Sequence, residues 1–320
     1  MRHTIPIAAI ASLAVPAAAS AADCQPAFLN GDPSVIIDGV EIEPGGRAVD
    51  EFQIRVQNAV GPGGSPSSAM DDGFNGAMSA PMGDPPCEAT IRISRVGATP
   101  DPDFPAYTLR APGNRQIEVL PDPSSGGTAD SDVRIANAPP GPQGRVVPFQ
   151  IGVSTEWGLK AGTFVEQLEL SLIDENGLVA DTTTLTITII IPSAVSLRLV
   201  GAVVGGGGNG PAQIDLGNLS STRETRSERF GALILSTAPY FVRFSSANQG
   251  NLVHEQGREK VPYRLSFDGA LVDLVGTDEF PYLDRTPKGG DRRPMSIVVP
   301  PVVALAGRYS DRITITVTAM

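Results

Sequence analysis

Ala161-Gly162-Thr163-Phe164-Val165-Glu166-Gln167-Leu168-Glu169-Leu170-Ser171-Leu172 and Ala306-Gly307-Arg308-Tyr309-Ser310-Asp311-Arg312-Ile313-Thr314-Ile315-Thr316-Val317 share one pattern, 145 residues apart (307 − 162). That spacing is about one domain length. In each copy an Ala-Gly turn and an aromatic lead into alternating apolar and polar residues, the period of a strand with one buried face. Beyond this shared stretch the two copies diverge. After the first, Asp174-Glu175-Asn176-Gly177 signals a hairpin turn, and a further strand over 183–191 alternates Leu185, Ile187, Ile189 and Ile191 with Thr184, Thr186 and Thr188. The second copy runs out at Met320. The expectation is two related β domains, one with its last strand and one without it.

Residues 1–22 read as a secretory signal: Arg2 supplies the positive region, Ile5 to Ala19 the apolar stretch, and Ala19-Ser20-Ala21 the cleavage site. Pro6 and Pro16 interrupt that stretch, and it falls short of the ~20 apolar residues of a membrane span. Asp23, where a small residue would precede a lipidated cysteine, argues against lipidation of Cys24. No second apolar run reaches membrane length. Without Arg2 the chain has 23 basic and 35 acidic residues, a balance that disfavours nucleic acid and anionic membranes as partners. Cys24 and Cys87 can pair in an oxidising compartment or stay as free thiols. A bridge would close a loop of roughly 60 residues and contribute about 4 kcal/mol.

Gly 35 and Pro 29 are scattered as turn punctuation, and helical periodicity is nearly absent, so the chain reads as all-β. Strands are expected over 35–43, 51–60, 89–96, 107–110, 116–120, 145–153, 164–173 and 183–191, then, past Pro192-Ser193, over 194–204, 212–216, 232–235, 240–245, 261–267, 295–299 and 308–318. This gives domains at 23–192 and 193–320. Ala106-Tyr107-Thr108-Leu109 echoes Pro262-Tyr263-Arg264-Leu265, and 90–94 echoes 240–245. Two stretches read as long loops. One, 121–142, is polar and Pro-rich; the other, 61–83, sets Met70, Phe74, Met78 and Met82 among small residues.

Catalytic chemistry has little to stand on. His254, the one histidine of the mature chain, reads as a solvated loop residue, and no G-x-S-x-G, HExxH or paired-cysteine metal motif occurs. Gly205-Gly206-Gly207-Gly208 lacks the Lys-Ser/Thr of a phosphate loop, and Asp71-Asp72 reads as a solvated pair. Trp157, the single tryptophan, reads as core and not as a sugar platform. The 223–229 segment reads as an exposed mixed-charge strand or turn. No enzyme activity and no cofactor are expected.

Phe230-Gly231, Phe244-Ser245-Ser246-Ala247-Asn248-Gln249-Gly250-Asn251-Leu252, Val261-Pro262-Tyr263 and the closing Ala306-Gly307-Arg308-Tyr309-Ser310-Asp311-Arg312-Ile313-Thr314-Ile315 resemble the spore coat protein U domain of archaic chaperone–usher pili. The resemblance covers about 194–320. The first half shares only its Ala161-Gly162 segment and general layout. The second half has no cysteine, whereas members of the family often carry a disulfide.

The resemblance implies an immunoglobulin-like sandwich lacking its last strand, completed by the N-terminal extension of a neighbouring subunit. Ile313, Ile315 and Val317 would line the open groove. A periplasmic chaperone would cap it, an outer-membrane usher would assemble the fibre, and the next pilin subunit would donate the strand. The residues themselves add an asymmetry: 183–191 completes the first domain in cis, and the mature chain starts almost at Cys24, with no donor segment. A subunit that accepts without donating belongs at the distal end. The expectation is therefore a tip adhesin, secreted through the periplasm to the cell surface. It would attach cells to abiotic or host surfaces, as in biofilms, through Met70, Phe74, Met78 and Met82. The alternative is a non-tip structural subunit or another secreted immunoglobulin-like binding protein.

Overall fold

A computed structural model describes residues 24–59, 87–96, 101–119, 132–205, 211–276 and 278–320. The signal segment, Asp71-Asp72 and the loop residues Met70, Phe74, Met78 and Met82 lie outside the described residues.

The first half contains β1 (Pro26–Phe28), β2 (Ser34–Ile37), β3 (Arg47–Asn58), β4 (Ala89–Arg95), β5 (Tyr107–Ala111), β6 (Arg115–Ile117), β7 (Val133–Ile135), β8 (Arg145–Ser154), β9 (Gly162–Ile173) and β10 (Val179–Ile191). One sheet has the order β1-β3-β8-β5-β6 and the other β2-β10-β9-β4-β7. Alternation puts Phe52, Ile54 and Val56 of β3 and Phe149, Ile151 and Val153 of β8 in the core. There they share one cluster with Ile91, Ile93, Leu168, Leu170 and Leu172. Phe52 and Phe149 stack with their ring centres 5.2 Å apart.

The second half contains β11 (Val195–Gly201), β12 (Val204–Gly205), β13 (Ala212–Gln213), β14 (Thr225–Arg226), β15 (Phe230–Ser236), β16 (Tyr240–Ser246), β17 (Asn251–His254), β18 (Lys260–Pro262), β19 (Arg264–Phe267), β20 (Ala270–Leu271), β21 (Glu279–Tyr282), β22 (Asp291–Val299), β23 (Tyr309–Ser310) and β24 (Ile313–Ala319). Its main sheet has the order β11-β15-β22-β19-β20, with β14 also on β22. Facing it are β21-β16-β24 and β18-β17-β23. A separate core gathers Phe244, Phe267, Leu265, Ile297 and Tyr240.

The layout is duplicated. The run β3-β8-β5 corresponds to β15-β22-β19, and β4-β9 to β16-β24. The protein is all-β, two tandem immunoglobulin-like sandwiches, and among the described residues the second has no counterpart of β10.

Several expectations need correction. His254 is not a solvated loop residue; it ends β17 and is 4% exposed. Trp157 is half-buried in a turn and belongs to neither core cluster. The stretch read as a loop over 121–142 includes β7, which pairs with β4 and buries Val133 and Ile135. The strand expected over 308–318 is divided into β23 and β24 by Asp311-Arg312. The short β1 is an addition to the expected strands. No helix among the described residues is long and apolar enough to cross a membrane.

Candidate functional site

The first sandwich shows what a filled site looks like. Its hairpin turn holds because the Asp174 carboxylate accepts the N–H groups of Asn176 (2.9 Å) and Leu178 (2.8 Å), while Gly177 takes a φ of 79° that glycine adopts without strain. β10 then runs antiparallel to β9, with Leu185 opposite Leu168 and Ile187 opposite Glu166, and lies parallel to β2 on its other side. Its inward residues Leu185, Ile187 and Ile189 are 0% exposed and Ile191 2%. Burial of such side chains contributes about 1.5–3 kcal/mol each. Beside β10, Leu168, Leu170 and Leu172 of β9 are also 0% exposed.

Across the 145-residue offset, Leu168, Leu170 and Leu172 become Ile313, Ile315 and Val317 of β24. These pack on the second core yet remain half-exposed, as do Val195, Leu197 and Leu199 of β11. The difference has one visible cause. β24 pairs with β16 on one edge, and no described strand pairs with the other. The N–H of Ala247 bonds the Arg312 carbonyl and that of Met320 bonds the Pro239 carbonyl, so the even-numbered residues of this strand face β16. By the antiparallel alternation, the N–H and C=O groups of Ile313, Ile315 and Val317 point to the free edge. The result is an apolar stripe beside unpaired backbone groups, the combination that templates strand addition.

Polar side chains hold this strand in place. Asp311 Oδ2 accepts the hydroxyls of Tyr263 and Ser246, both at 2.6 Å, and Oδ1 accepts the Asn248 N–H at 3.0 Å. Burial first, and then the Asp311 carboxylate, push the Tyr263 hydroxyl far above the usual phenol range. Just upstream, His254 Nε2 lies 3.2 Å from the Ala306 carbonyl while Nδ1 accepts the Gln256 N–H at 3.1 Å. A Cβ on Gly307 would sit 2.1 Å from His254 Nε2, and its φ is +150°, so this glycine has no substitute. Glu259 accepts the Tyr309 hydroxyl and, at 2.8 Å, the Leu305 N–H; the Tyr309 bond first and the Leu305 bond second hold its carboxyl below the usual range.

Sequence reasoning missed this apparatus, although two signals for it were present: the 145-residue offset makes Glu166 and Asp311 equivalent, and the echo of 106–109 by 262–265 matches Tyr107 with Tyr263. In the first sandwich Glu166 is gripped by Arg95 at 2.6 Å, and Tyr107 is driven up in pKa by burial and by Glu166. Cys24 and Cys87 form a disulfide with Cα atoms 5.1 Å apart, tying the approach to β1 to the approach to β4. No group of three or more His, Cys, Asp or Glu that could hold a metal ion occurs among the described residues.

Fold and edge together define a tandem of immunoglobulin-like sandwiches, one closed and one with a free edge next to its core. No protein-family model matches the chain, and no curated protein does. Among solved structures it is similar to the CsuC–CsuE chaperone–tip adhesion subunit pre-assembly complex from archaic chaperone–usher Csu pili of Acinetobacter baumannii, at 11% identity and a TM-score of 0.41, covering 92% of this chain and 99% of that one. It is also similar to the CupB6 tip adhesin from Pseudomonas aeruginosa, at 11% identity and a TM-score of 0.36, covering 92% and 95%. A chaperone–tip adhesin complex of CFA/I fimbriae biogenesis matches at 12% identity and a TM-score of 0.33, covering 72% and 84%. At such identities no residue of this chain takes a role from these proteins.

Proposed function

We propose that the chain is the tip adhesin of a chaperone–usher pilus. Residues 193–320 form a pilin-like domain that takes a donor strand from the next subunit, and residues 23–192 form a self-completed adhesive domain. One observation carries the reading: the same strand occurs twice, sealed by β10 where Leu168, Leu170 and Leu172 are 0% exposed, and open where Ile313, Ile315 and Val317 stand half-exposed. An unfilled edge of this kind is an aggregation hazard, which gives a periplasmic chaperone its task before an outer-membrane usher brings the next subunit. The place of action is the cell surface, at the distal end of the fibre. Met70, Phe74, Met78 and Met82 are the candidate contacts with a host or abiotic surface; replacing all four by Ser should abolish attachment to hydrophobic surfaces without moving the unfolding transition of the first sandwich.

The test of strand acceptance is an extension of the full chain. A copy of residues 181–191, joined to Met320 through a flexible Gly/Ser linker, should raise the melting temperature of the second sandwich by several degrees, about 4 °C per kcal/mol for a domain of roughly 130 residues. The linker alone should not. Equal melting temperatures for the two proteins would overturn the reading.

A further inference from the structure

We infer, on the basis of the strand-accepting reading above, that the segment filling the second sandwich carries carboxylates on its outward face, opposite Arg308 and Arg312. The register of the first sandwich supplies the geometry. There the outward residues Thr163 and Gln167 of β9 stand opposite Ile190 and Thr186 of β10. Carried across the offset, Thr163 becomes Arg308 and Gln167 becomes Arg312. Both arginines are exposed, and among the described residues neither guanidinium has a hydrogen-bond or ion-pair partner; only their backbone groups are engaged, the carbonyls by the N–H groups of Glu255 and Ala247 and the Arg312 N–H by Asp311 Oδ1.

Two uncharged residues at the closed edge are thus replaced by two unpartnered cations at the open one. Residues directly opposite in an antiparallel pair have Cβ atoms about 4.5–5.5 Å apart, close enough for ion pairing or for like-charge repulsion. The occupant is therefore an extended segment running antiparallel to β24. Its pattern is apolar-acidic-apolar-any-apolar-acidic-apolar, with the acidic residues four apart at the positions that Thr186 and Ile190 hold in β10. The apolar face supplies affinity, as any strand of this kind could. The two arginines choose among such strands, favouring an acidic donor over a neutral strand such as β10 and over a basic one.

Three synthetic peptides test this on the full chain: residues 181–191 unchanged, the same peptide with Thr186→Glu and Ile190→Glu, and the same with Thr186→Lys and Ile190→Lys. At low salt the glutamate peptide should bind about tenfold more tightly than the lysine peptide, with the unchanged one between them. At about 1 M salt, where screening acts within ~3 Å, the difference should shrink to little. In the protein with Arg308→Glu and Arg312→Glu the order should reverse. Among the described residues these side chains make no intramolecular bonds, and the three-peptide comparison on the unaltered chain stands without that variant. Equal affinities at low salt, or tighter binding of the lysine peptide, would overturn the inference and leave the strand-accepting reading intact. If none of the three binds, that reading fails and the inference falls with it.

Discussion

The Tyr263 hydroxyl donates to Asp311 Oδ2 at 2.6 Å, joining the junction between β18 and β19 to the break between β23 and β24. Because Ser246 donates to the same oxygen, one carboxylate fixes the start of the last strand against two neighbouring segments. Tyr263→Phe should cost about 1.5–3 kcal/mol, the usual range for a hydrogen bond to a charged group. Asp311→Ala should cost more, since it strands two hydroxyls. A double-mutant cycle by urea unfolding should give a coupling of about 1 kcal/mol or more. Additive effects would mean that the bond does not hold the strand.

Leu170 and Ile315 occupy the same place in the repeated strand, one 0% exposed and the other half-exposed. Leu170→Ala should destabilise the first sandwich by about 2–5 kcal/mol. Ile315→Ala should cost half as much or less in the chain as it stands, and should rise toward the Leu170 value once a donor strand is attached to Met320. Denaturant midpoints for the four proteins decide the matter. A cost at Ile315 that is unaltered by the added strand would place that side chain away from the donor.

Breaking the Cys24–Cys87 bridge, which spans 63 residues, should lower the stability of the first sandwich by about 4 kcal/mol. The melting temperature of the second sandwich should not move, because its core shares no residue with that bridge. Thermal unfolding of the Cys24→Ser, Cys87→Ser protein distinguishes the two transitions. A drop in both would show the halves to be one cooperative unit.

Glu259 has a depressed carboxyl pKa, held down by the Tyr309 hydroxyl and then by the Leu305 N–H. A carboxyl lowered in the folded state adds stability that is complete above its unfolded pKa, around 4.5, and is lost as pH falls through the folded value. The urea midpoint of the second sandwich should therefore fall below about pH 4.5. In Glu259→Gln this part of the acid dependence should be smaller, while the pH 7 stability is already reduced. An acid profile identical to that of the unaltered protein would show that the Tyr309 contact contributes nothing.

Much of the candidate site is legible in the sequence because it rests on local alternation. Leu185, Ile187, Ile189 and Ile191 announce their shared face by period alone, and so do Ile313, Ile315 and Val317. The equivalence of Glu166 with Asp311 is also written in the offset, and that of Tyr107 with Tyr263 in the echo of 106–109 by 262–265. It is easily overlooked because a carboxylate in an alternating strand reads as outward-facing, whereas here each carboxylate is turned inward to meet a tyrosine. His254 misleads for a related reason: its Gly/Asn-rich surroundings say turn, but the Ala306 carbonyl that meets its ring comes from 52 residues further along the chain, with Gly307 next to it.

By itself the sequence determined that the chain is all-β, that one strand is repeated at an interval of one domain, and that a further alternating strand follows the first copy. Those properties reside in side-chain period and turn chemistry, which act over a few residues. Only the tertiary structure decided that β10 is held between β9 and the distant β2, that Pro26–Phe28 and Val133–Ile135 are strands, and that the free edge of β24 is flanked by Arg308 and Arg312. Strand pairing is a contact between remote segments. Alternation says which face of a strand is buried, and only packing says which strand lies beside it.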